Sequence, residues 1–323
     1  MKLHTMLAAA LLAGCAGAAG AAQTWPDKPL RWVCPYVAGG AGDIFTRTIA
    51  QKLTEALGQT VIVDNRPGAN GSIGTELVAR APADGYTLLM GQSGPLTVNP
   101  FFYKGLKYDA LKDFAPITQG TLYMYALVVQ TGNPVSNIKE MIAWVRSKPG
   151  ALTYGSTGIG GGNHLAGELF NLMTQTKAIH VPYKGSALAL ADLLGGQLSY
   201  MFDTVITSAP QIKAGKLKAI GVSALKRSNS LPDIPTLDEL GLKGYEITQW
   251  QALVAPAGTP KAVVDRLHRE VVKALKLPDV VDRLATQGGN ELVGNTPEEF
   301  AAVIRSDFTK YGKLIKEANL KIE

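Results

Sequence analysis

The chain has 323 residues, of which 46% are hydrophobic and 18% charged, enough to build a core spanning two lobes. Its formal net charge of +6 is scattered, with no basic run interleaved with aromatic residues, so the usual signature of a nucleic-acid-binding protein is absent. No internal stretch approaches the ~20 apolar residues that a membrane span needs.

The first 22 residues carry the pattern of a secretory signal. Lys2 precedes an apolar run, and small residues follow as far as Ala22. We therefore predict a signal peptide over residues 1–22 and a mature chain in the periplasm. The stretch before Cys15 also resembles a lipobox, so a lipoprotein anchored through Cys15 is the alternative. Cys34 lies in a strand-like run, where we expect a buried, inert thiol.

Short β-like runs alternate with helix-like runs, which predicts an α/β fold with parallel βαβ units. The predicted strands are 30–35, 60–64, 86–91, 122–130, 152–156, 178–183, 199–203, 217–223 and 248–255. The predicted helices between them are 44–57, 72–80, 141–147, 163–174, 186–194 and 208–214.

The order of these elements predicts two lobes, each a mainly parallel sheet flanked by helices. We expect the chain to cross between the lobes near residue 127 and to return near residue 233. One lobe then comprises residues 23–127 and 233–323, and the other comprises residues 128–232.

A glycine-rich turn follows the first predicted strand and precedes a helix. Such a turn leaves backbone N–H groups free at a helix N-terminus, where the helix dipole adds positive charge. Gly40 and Gly42 match two glycines of a dinucleotide-binding motif, but Phe45 occupies the third position. We therefore favour a carboxylate site over a nucleotide site or a purely structural turn. Its candidate ligand contacts are Tyr36, Val37, Ala38, Gly39, Gly40 and Asp43.

A second glycine-rich turn, residues 155–164, has the same strand-to-helix context. Its glycines permit positive φ angles and a close approach of ligand to backbone, and Ser156 and Thr157 add hydroxyl groups. His164 either donates to a carboxylate or has a structural role. Two such turns in different parts of the chain indicate a small anion held between two lobes. The candidate contacts here are Ser156, Thr157, Gly158, Gly160 and His164.

Two further candidates end predicted strands, at the sheet edge where α/β proteins bind ligands. Ser93 would hydrogen-bond a ligand. Asp203 would accept a hydrogen bond from a ligand hydroxyl or ammonium group, or cap the next helix. An exported carboxylic-ester hydrolase that uses Ser93 or Ser156 is the alternative function, although the segment around Ser93 falls short of a nucleophile elbow. Five aromatic side chains either line the cleft or pack in the core, namely Tyr36, Tyr123, Tyr125, Phe202 and Trp250, and core packing is favoured for Phe202. The histidines after the signal are well separated, so we expect no metal and no cofactor.

Eight short stretches, taken in chain order, resemble those of one protein family. They are WPDKPL (25–30), GGAGD (39–43), VDNRPGANG (63–71), DGYTLL (84–89), YGS to HLA (154–166), HVPYKG (180–185), LPDIPT (231–236) and APAGTP (255–260). Each is weak alone, but together they are specific. The chain resembles the Bug-type (TctC-like) extracytoplasmic solute-binding proteins of tripartite tricarboxylate transporters.

This resemblance implies a type II periplasmic-binding fold that closes on its ligand. It implies one ligand carboxylate held by backbone amides and ordered waters from the turns 37–43 and 156–164. The family usually has Ser where this chain has Gly161, so a hydroxyl contact is lost there.

The resemblance also implies a monomeric, non-enzymatic protein that delivers its ligand to integral-membrane permease subunits. Family ligands are di- and tricarboxylates, acidic amino acids and aromatic acids. The predicted loops contain hydroxyls and aromatic rings but no obvious Arg, which favours an aromatic or other partly apolar acid. A ligand-sensing subunit of a signalling system is a further alternative.

Overall fold

The fold is built on ten strands that join in one sheet, with helices packed on it; the computed structural model describes residues 25–317. The predicted signal peptide and Cys15 lie outside the described residues. Within residues 25–317, no helix has both the length and the apolar character of a membrane span. The strands are β1 (Leu30–Cys34), β2 (Val61–Asn65), β3 (Thr87–Gln92), β4 (Phe114–Gln130), β5 (Thr153–Ser156), β6 (Ile179–Pro182), β7 (Tyr200–Thr204), β8 (Leu217–Val222), β9 (Thr248–Pro256) and β10 (Glu291–Leu292).

The helices follow the strands in the alternation that the sequence predicted. They are α1 (Ala41–Leu57), α2 (Ser72–Ala79), α3 (Asn99–Phe102), α4 (Ile138–Ser147), α5 (Gly162–Thr174), α6 (Ser186–Leu194), α7 (Val205–Lys213), α8 (Lys261–Ala274), α9 (Pro278–Val281) and α10 (Pro297–Glu317). The α/β fold class is confirmed.

The sheet is mixed rather than mainly parallel. Its order is β2-β1-β3-β9-β4-β7-β5-β6, with β8 and β10 also paired to β4. Strand β1 pairs in parallel with β2 and β3, and β5 pairs in parallel with β6 and β7. Every pair made by β4 or β9 is antiparallel. The predicted parallel units therefore lie on the two sides of an antiparallel centre.

Strand β4 begins about eight residues earlier than predicted, and helices α1, α4 and α7 each begin three residues earlier. Strand β4 starts at Phe114 rather than near residue 122, although Pro116 and Gly120 disfavour strands, because this part pairs with β9 across two register shifts. Helix α7 starts at Val205 rather than at residue 208, since Val205 and Ile206 are buried directly after β7.

Strand β4 belongs to both halves of the sheet. As far as Met124 it pairs with β9, and from Tyr125 onward it pairs with β7 and β8. The partner change falls within three residues of the crossing expected near residue 127. The chain returns at Thr248, where β9 begins.

The segment before β9 hydrogen-bonds to the end of β8. The N–H of Val222 donates to the Pro235 carbonyl at 2.9 Å, and the N–H of Ile247 donates to the Ser223 carbonyl at 2.9 Å. These contacts favour a return at Thr248 rather than near residue 233. The division into residues 23–127 with 233–323, and 128–232, stays a prediction.

Helix α1 packs on the sheet through an apolar stripe with helical spacing, Phe45, Ile49, Leu53 and Leu57, which is buried. The Phe45 ring meets Trp32 edge-on, with ring centroids 6.1 Å apart. Space for the ring comes from Gly120 on β4, where an added Cβ would lie 2.5 Å from two atoms of the Phe45 ring. The close contact that a helix glycine makes in nucleotide-binding turns is therefore made here by a glycine of the sheet.

We expect Gly120→Ala to lower the free energy of unfolding by about 1–3 kcal/mol, because overfilling a packed core displaces side chains and backbone. Gly132→Ala is the matched control, since a Cβ there meets only the Gln130 Oε1 at 4.0 Å, and its effect should stay within about 0.5 kcal/mol. Urea unfolding measures both. Equal stability of the two variants would contradict the packing role of Gly120.

Candidate functional site

The first glycine-rich turn joins β1 to α1. Gly40 is the N-cap of α1 in an extended conformation, and no side chain caps the helix. The Asp43 carboxylate accepts hydrogen bonds from the Gly39 N–H (2.9 Å), Arg47 Nε (2.9 Å) and Asn65 Nδ2 (3.0 Å). Burial acts to raise the pKa of Asp43, but the bonds from Arg47, Gly39 and Asn65 outweigh it and hold the pKa below its ordinary value. Asp43 therefore braces the turn.

The second turn joins β5 to α5. Gly158 (φ 125°) and Gly160 (φ 79°) occupy the left-handed region that favours glycine. The Oδ1 of Asn163 accepts from both the N–H and the hydroxyl of Thr157, each at 3.1 Å. Its Nδ2 is buried without a partner. The two accepted bonds orient the amide, which leaves Nδ2 as a free donor.

Two stacked imidazoles lie behind this turn. The ring centroids of His164 and His180 are 4.1 Å apart, and the Gly160 N–H donates to His164 Nδ1 at 3.2 Å. Burial, with a smaller contribution from His180, lowers the pKa of His164 to about 3. Burial lowers the pKa of His180 to about 4. Both rings are neutral at pH 7 and supply no positive charge.

A small cavity of about 20 Å³ lies between the two turns. Four helix N-termini open on it: the cap and first two residues of α1, the second residue of α5, the first residue of α6 and the cap of α7. None of the four has a side-chain cap, whereas the Asn137 side chain caps α4 elsewhere in the described chain. The wall is formed by Tyr36, Gly40, Ala41, Gly42, Gln92, Tyr123, Tyr125, Thr157, Asn163, Ser186 and Thr204.

The cavity attracts anions through the backbone rather than through charged side chains. Among the described residues of the wall there is no Asp, Glu, Lys, Arg or His. Each helix N-terminus carries roughly half an elementary positive charge and unsatisfied N–H donors. Hydroxyl and amide groups complete the wall. The arrangement suits an anion with a few oxygen acceptors, such as a carboxylate.

The wall and the predicted site overlap only in part. Tyr36, Gly40 and Thr157 lie in the wall. The remaining predicted contacts are not part of the wall: Ser93 and Asp203 lie at the ends of β3 and β7, and the others lie in the two turns, namely Val37, Ala38, Gly39, Asp43, Ser156, Gly158, Gly160 and His164. The role of each predicted residue as a ligand contact stays a prediction.

Several wall residues were missed by sequence reasoning. Ser186 and Thr204 open α6 and α7, and the signal for them was present, because each junction from a parallel strand to a helix opens on the same sheet edge. Tyr123 and Tyr125 occupy alternate positions of β4 on either side of the partner change, with ring centroids 5.6 Å apart. The wall residues that the sequence did not point to are Gln92, Ser186 and Thr204; Ala41, Gly42 and Asn163 lie within the two predicted turns, and Tyr123 and Tyr125 are two of the aromatic residues considered for the cleft.

Neither serine of the hydrolase alternative is arranged as a nucleophile. Ser93 is buried, and its Oγ donates to Gln249 Oε1 at 2.7 Å. Ser156 contacts His180 Nε2, but neither residue lies in the cavity wall, and in the described chain no carboxylate hydrogen-bonds His180. An activated serine needs an oriented base and access to its substrate.

Cys34 and Asp203, two further reactive groups, are both buried. Cys34 is buried, as predicted, and burial raises the pKa of its thiol to about 11. Asp203 is fully buried at the end of β7, with Oδ2 accepting from the Thr207 hydroxyl at 2.6 Å. Over residues 25–317, no group of three or more His, Cys, Asp and Glu side chains is placed to hold a metal ion.

The sequence matches the model of one protein family. The model for "Tripartite tricarboxylate transporter family receptor" matches residues 45–320. The chain belongs to this family. The UPF0065 protein from the tcbD-tcbE intergenic region of Pseudomonas sp. (strain P51) is 39% identical over 92% of this chain and 88% of its own length. Protein BugT of Bordetella pertussis is 32% identical over 94% of this chain and 93% of its own length.

Solved structures of the family share the fold. The periplasmic binding protein BugD has a TM-score of 0.89 at 36% identity, covering 93% of this chain and all of BugD. A Rhodopseudomonas palustris protein solved with adipate has a TM-score of 0.88 at 34% identity over 91% of this chain and 98% of its own. MatC from the same organism, with bound malate, has a TM-score of 0.86 at 29% identity over 90% of this chain and all of MatC. The fold is thus that of the two-lobed periplasmic solute-binding receptors, which are not enzymes.

The stacked histidines make stability fall in acid. The pKa of His164 is about 3 in the folded chain and ~6.5 when unfolded. As the pH falls below 6.5, the unfolded state therefore binds a proton that the folded state does not bind. The difference lowers the free energy of unfolding by about 2 kcal/mol at pH 5.

We expect His164→Asn to be less stable than the wild type at pH 7.5, because ring packing is lost, while Asn Oδ1 keeps the bond from Gly160. The deficit should shrink between pH 6.5 and 4. Thermal unfolding across that range measures it. A constant deficit would mean that His164 is protonated in the folded protein.

Proposed function

We propose that this protein is a non-enzymatic periplasmic receptor that binds an organic carboxylate between its lobes and delivers it to the permease of a tripartite tricarboxylate transporter. The observation that carries the proposal is the convergence of four uncapped helix N-termini on one cavity. The adipate and malate held by two family structures support a carboxylate ligand.

The wall favours a ligand of low charge. Four helix dipoles and the Asn163 Nδ2 donor suffice for one carboxylate, but no cationic side chain is present to offset several. Three tyrosines, Tyr36, Tyr123 and Tyr125, supply apolar ring surface beside hydroxyl groups. We therefore infer a monocarboxylate or dicarboxylate with a partly apolar or aromatic body rather than a citrate-like polyanion.

The lobes must separate to admit such a ligand, because about 20 Å³ holds roughly one water molecule. The contacts that would break are few. The Tyr103 hydroxyl donates to the Ile159 carbonyl at 2.8 Å, and the Thr157 hydroxyl, whose proton is shared with Asn163 Oδ1, lies 3.4 Å from Asn70 Oδ1. Both join the second turn to the lobe of β1. We infer that they form on closure around the ligand.

Calorimetry with adipate, malate and benzoate tests the carboxylate site. At least one acid should bind, and its methyl ester or amide should bind far more weakly, because a neutral group loses charge-assisted hydrogen bonds. Incubation of the same samples without loss of ligand separates a receptor from a hydrolase. Equal binding of an acid and its neutral derivatives would contradict the anion site.

We expect Gly40→Val to reduce carboxylate binding at least tenfold with little loss of stability. Gly40 has an unstrained φ of −82°, and an added Cβ would lie 3.2 Å from Ser186 Oγ, between the N-termini of α1 and α6. Gly132→Ala, remote from the wall, is the control. Normal binding by Gly40→Val would place the site elsewhere.

A further inference from the structure

Three side chains connect the cavity to a buried carboxyl group. Thr204 forms part of the cavity wall, and its Oγ1 lies 2.6 Å from Oγ1 of Thr207. The Thr207 Oγ1 lies 2.6 Å from Oδ2 of Asp203. All three residues are at most 8% exposed. We call Asp203, Thr207 and Thr204 the relay.

The hydrogen atoms of the relay have one consistent arrangement when Asp203 is ionised. The carboxylate only accepts, so the single hydroxyl proton of Thr207 goes to Asp203. The short contact between the two threonines then requires Thr204 to donate to Thr207. In this state Thr204 offers only lone pairs to the cavity, which repel a carboxylate oxygen.

A second arrangement is open when Asp203 carries a proton. The acid then donates to Thr207, and the Thr207 proton goes either to Thr204 Oγ1 or to the Thr204 carbonyl oxygen, 2.9 Å away. When it goes to Thr204 Oγ1, the hydroxyl proton of Thr204 is free to donate to an anion in the cavity. Only the protonated form of Asp203 therefore lets Thr204 act as a donor to the ligand, and a bound anion selects that arrangement.

The surroundings of Asp203 favour the protonated form. Its Oδ1 is buried without a hydrogen-bond partner, which costs much more for a carboxylate oxygen than for the carbonyl oxygen of a neutral acid. Burial raises the pKa of Asp203 to about 7, against the lowering effects of Thr207 and the Thr204 backbone.

No charged neighbour offsets this burial. The titratable side chains on β7 and the elements around it are Tyr123, Tyr125, Tyr154, His164, Glu168, Asp192, Tyr200, Lys213 and Lys218. None of them is a cause of the Asp203 shift. Three have partners of their own: Glu168 accepts from the Tyr154 hydroxyl, Asp192 from the Tyr183 hydroxyl, and Lys218 donates to the Asn133 carbonyl.

We propose that Asp203 is a positioning residue for the carboxylate site, and that it takes up one proton when the anion binds, which turns the Thr204 hydroxyl toward the ligand. The proton comes from solvent, and no other bond is made or broken. This inference rests on the proposed function, because it needs an anionic ligand in the cavity.

The sign of the effect follows from linkage. An anion binds the form in which Thr204 donates, so binding favours protonated Asp203 and raises the pH at which it ionises. Below that pH in the free protein, binding takes up no proton. Above it, each bound anion takes up as much as one proton, and the affinity falls by up to tenfold for each pH unit.

The first experiment needs no ligand. Carboxyl ¹³C NMR of aspartate-labelled protein follows each Asp between pH 4 and 9, and the signal missing from Asp203→Asn identifies Asp203. We expect a midpoint near pH 7. A midpoint below pH 5 would overturn the proposal, because Asp203 would then be ionised throughout the working range.

The second experiment counts protons on binding. Adipate and malate are titrated calorimetrically at pH 8.5 in phosphate and in Tris, whose ionisation enthalpies differ. We expect proton uptake by the wild type and by Asp233→Asn, a matched control at an exposed aspartate. We expect none for Asp203→Asn, whose amide donates to Thr207 at every pH.

The Asp203→Asn variant should also gain affinity at high pH. Asp203→Asn should bind with the same affinity at pH 6 and pH 8.5, and at pH 8.5 it should bind more tightly than the wild type. A role limited to packing would not produce that gain. If this variant does not fold, the buffer dependence of the wild-type enthalpy decides alone.

The outcomes separate this inference from the proposed function. Binding of adipate or malate with no proton uptake and no pH dependence above pH 7 would overturn the relay and leave the receptor intact. Failure to bind adipate, malate or benzoate would overturn both.

Discussion

Strand β4 is the constraint on which the rest of the structure depends. Its 17 residues pair first with β9 and then, after Met124, with β7 and β8, so one continuous backbone holds both halves of the sheet. Tyr123 and Tyr125, beside this change, lie in the cavity wall. The site therefore sits where the two halves share a strand, and a small bend of β4 there would alter the distance between the two turns without unpairing either half.

The helix N-termini can serve the site only because the chain leaves them uncapped. A side chain that capped α1, α5, α6 or α7 would occupy the N–H groups that an anion needs. Asp43 lies in the first turn of α1 but leaves the N–H groups of that helix free. Its carboxylate is instead engaged by Arg47, Gly39 and Asn65. A buried cationic side chain in the wall would cost several kcal/mol when no anion was bound, whereas backbone dipoles are already oriented and need no partner.

Local sequence patterns predicted the elements well and the site less well. The stripe that includes Phe45 and the strand-to-helix junctions follow from periodicity and glycine placement, which act over a few residues. The start of β4 at Phe114 did not follow, because residues between Phe114 and Gln119, Pro116 among them, pair with β9 more than 130 positions later, and Gly120 falls at a register shift. The same limit hid Gln92, which enters the wall through strand pairing and leaves no local signal.

Gly161, where the family resemblance leads us to expect a serine, is required by the packing of its own turn. An added Cβ at Gly161 would lie 2.5 Å from the Thr157 Oγ1 and 2.9 Å from the Asn163 Oδ1. A serine there would therefore displace the Thr157 hydroxyl and disturb the bond that orients the Asn163 amide. In this chain Thr157 fills that space and lies in the wall. The orientation of the Asn163 amide, and with it the free Nδ2, therefore depends on a glycine at position 161.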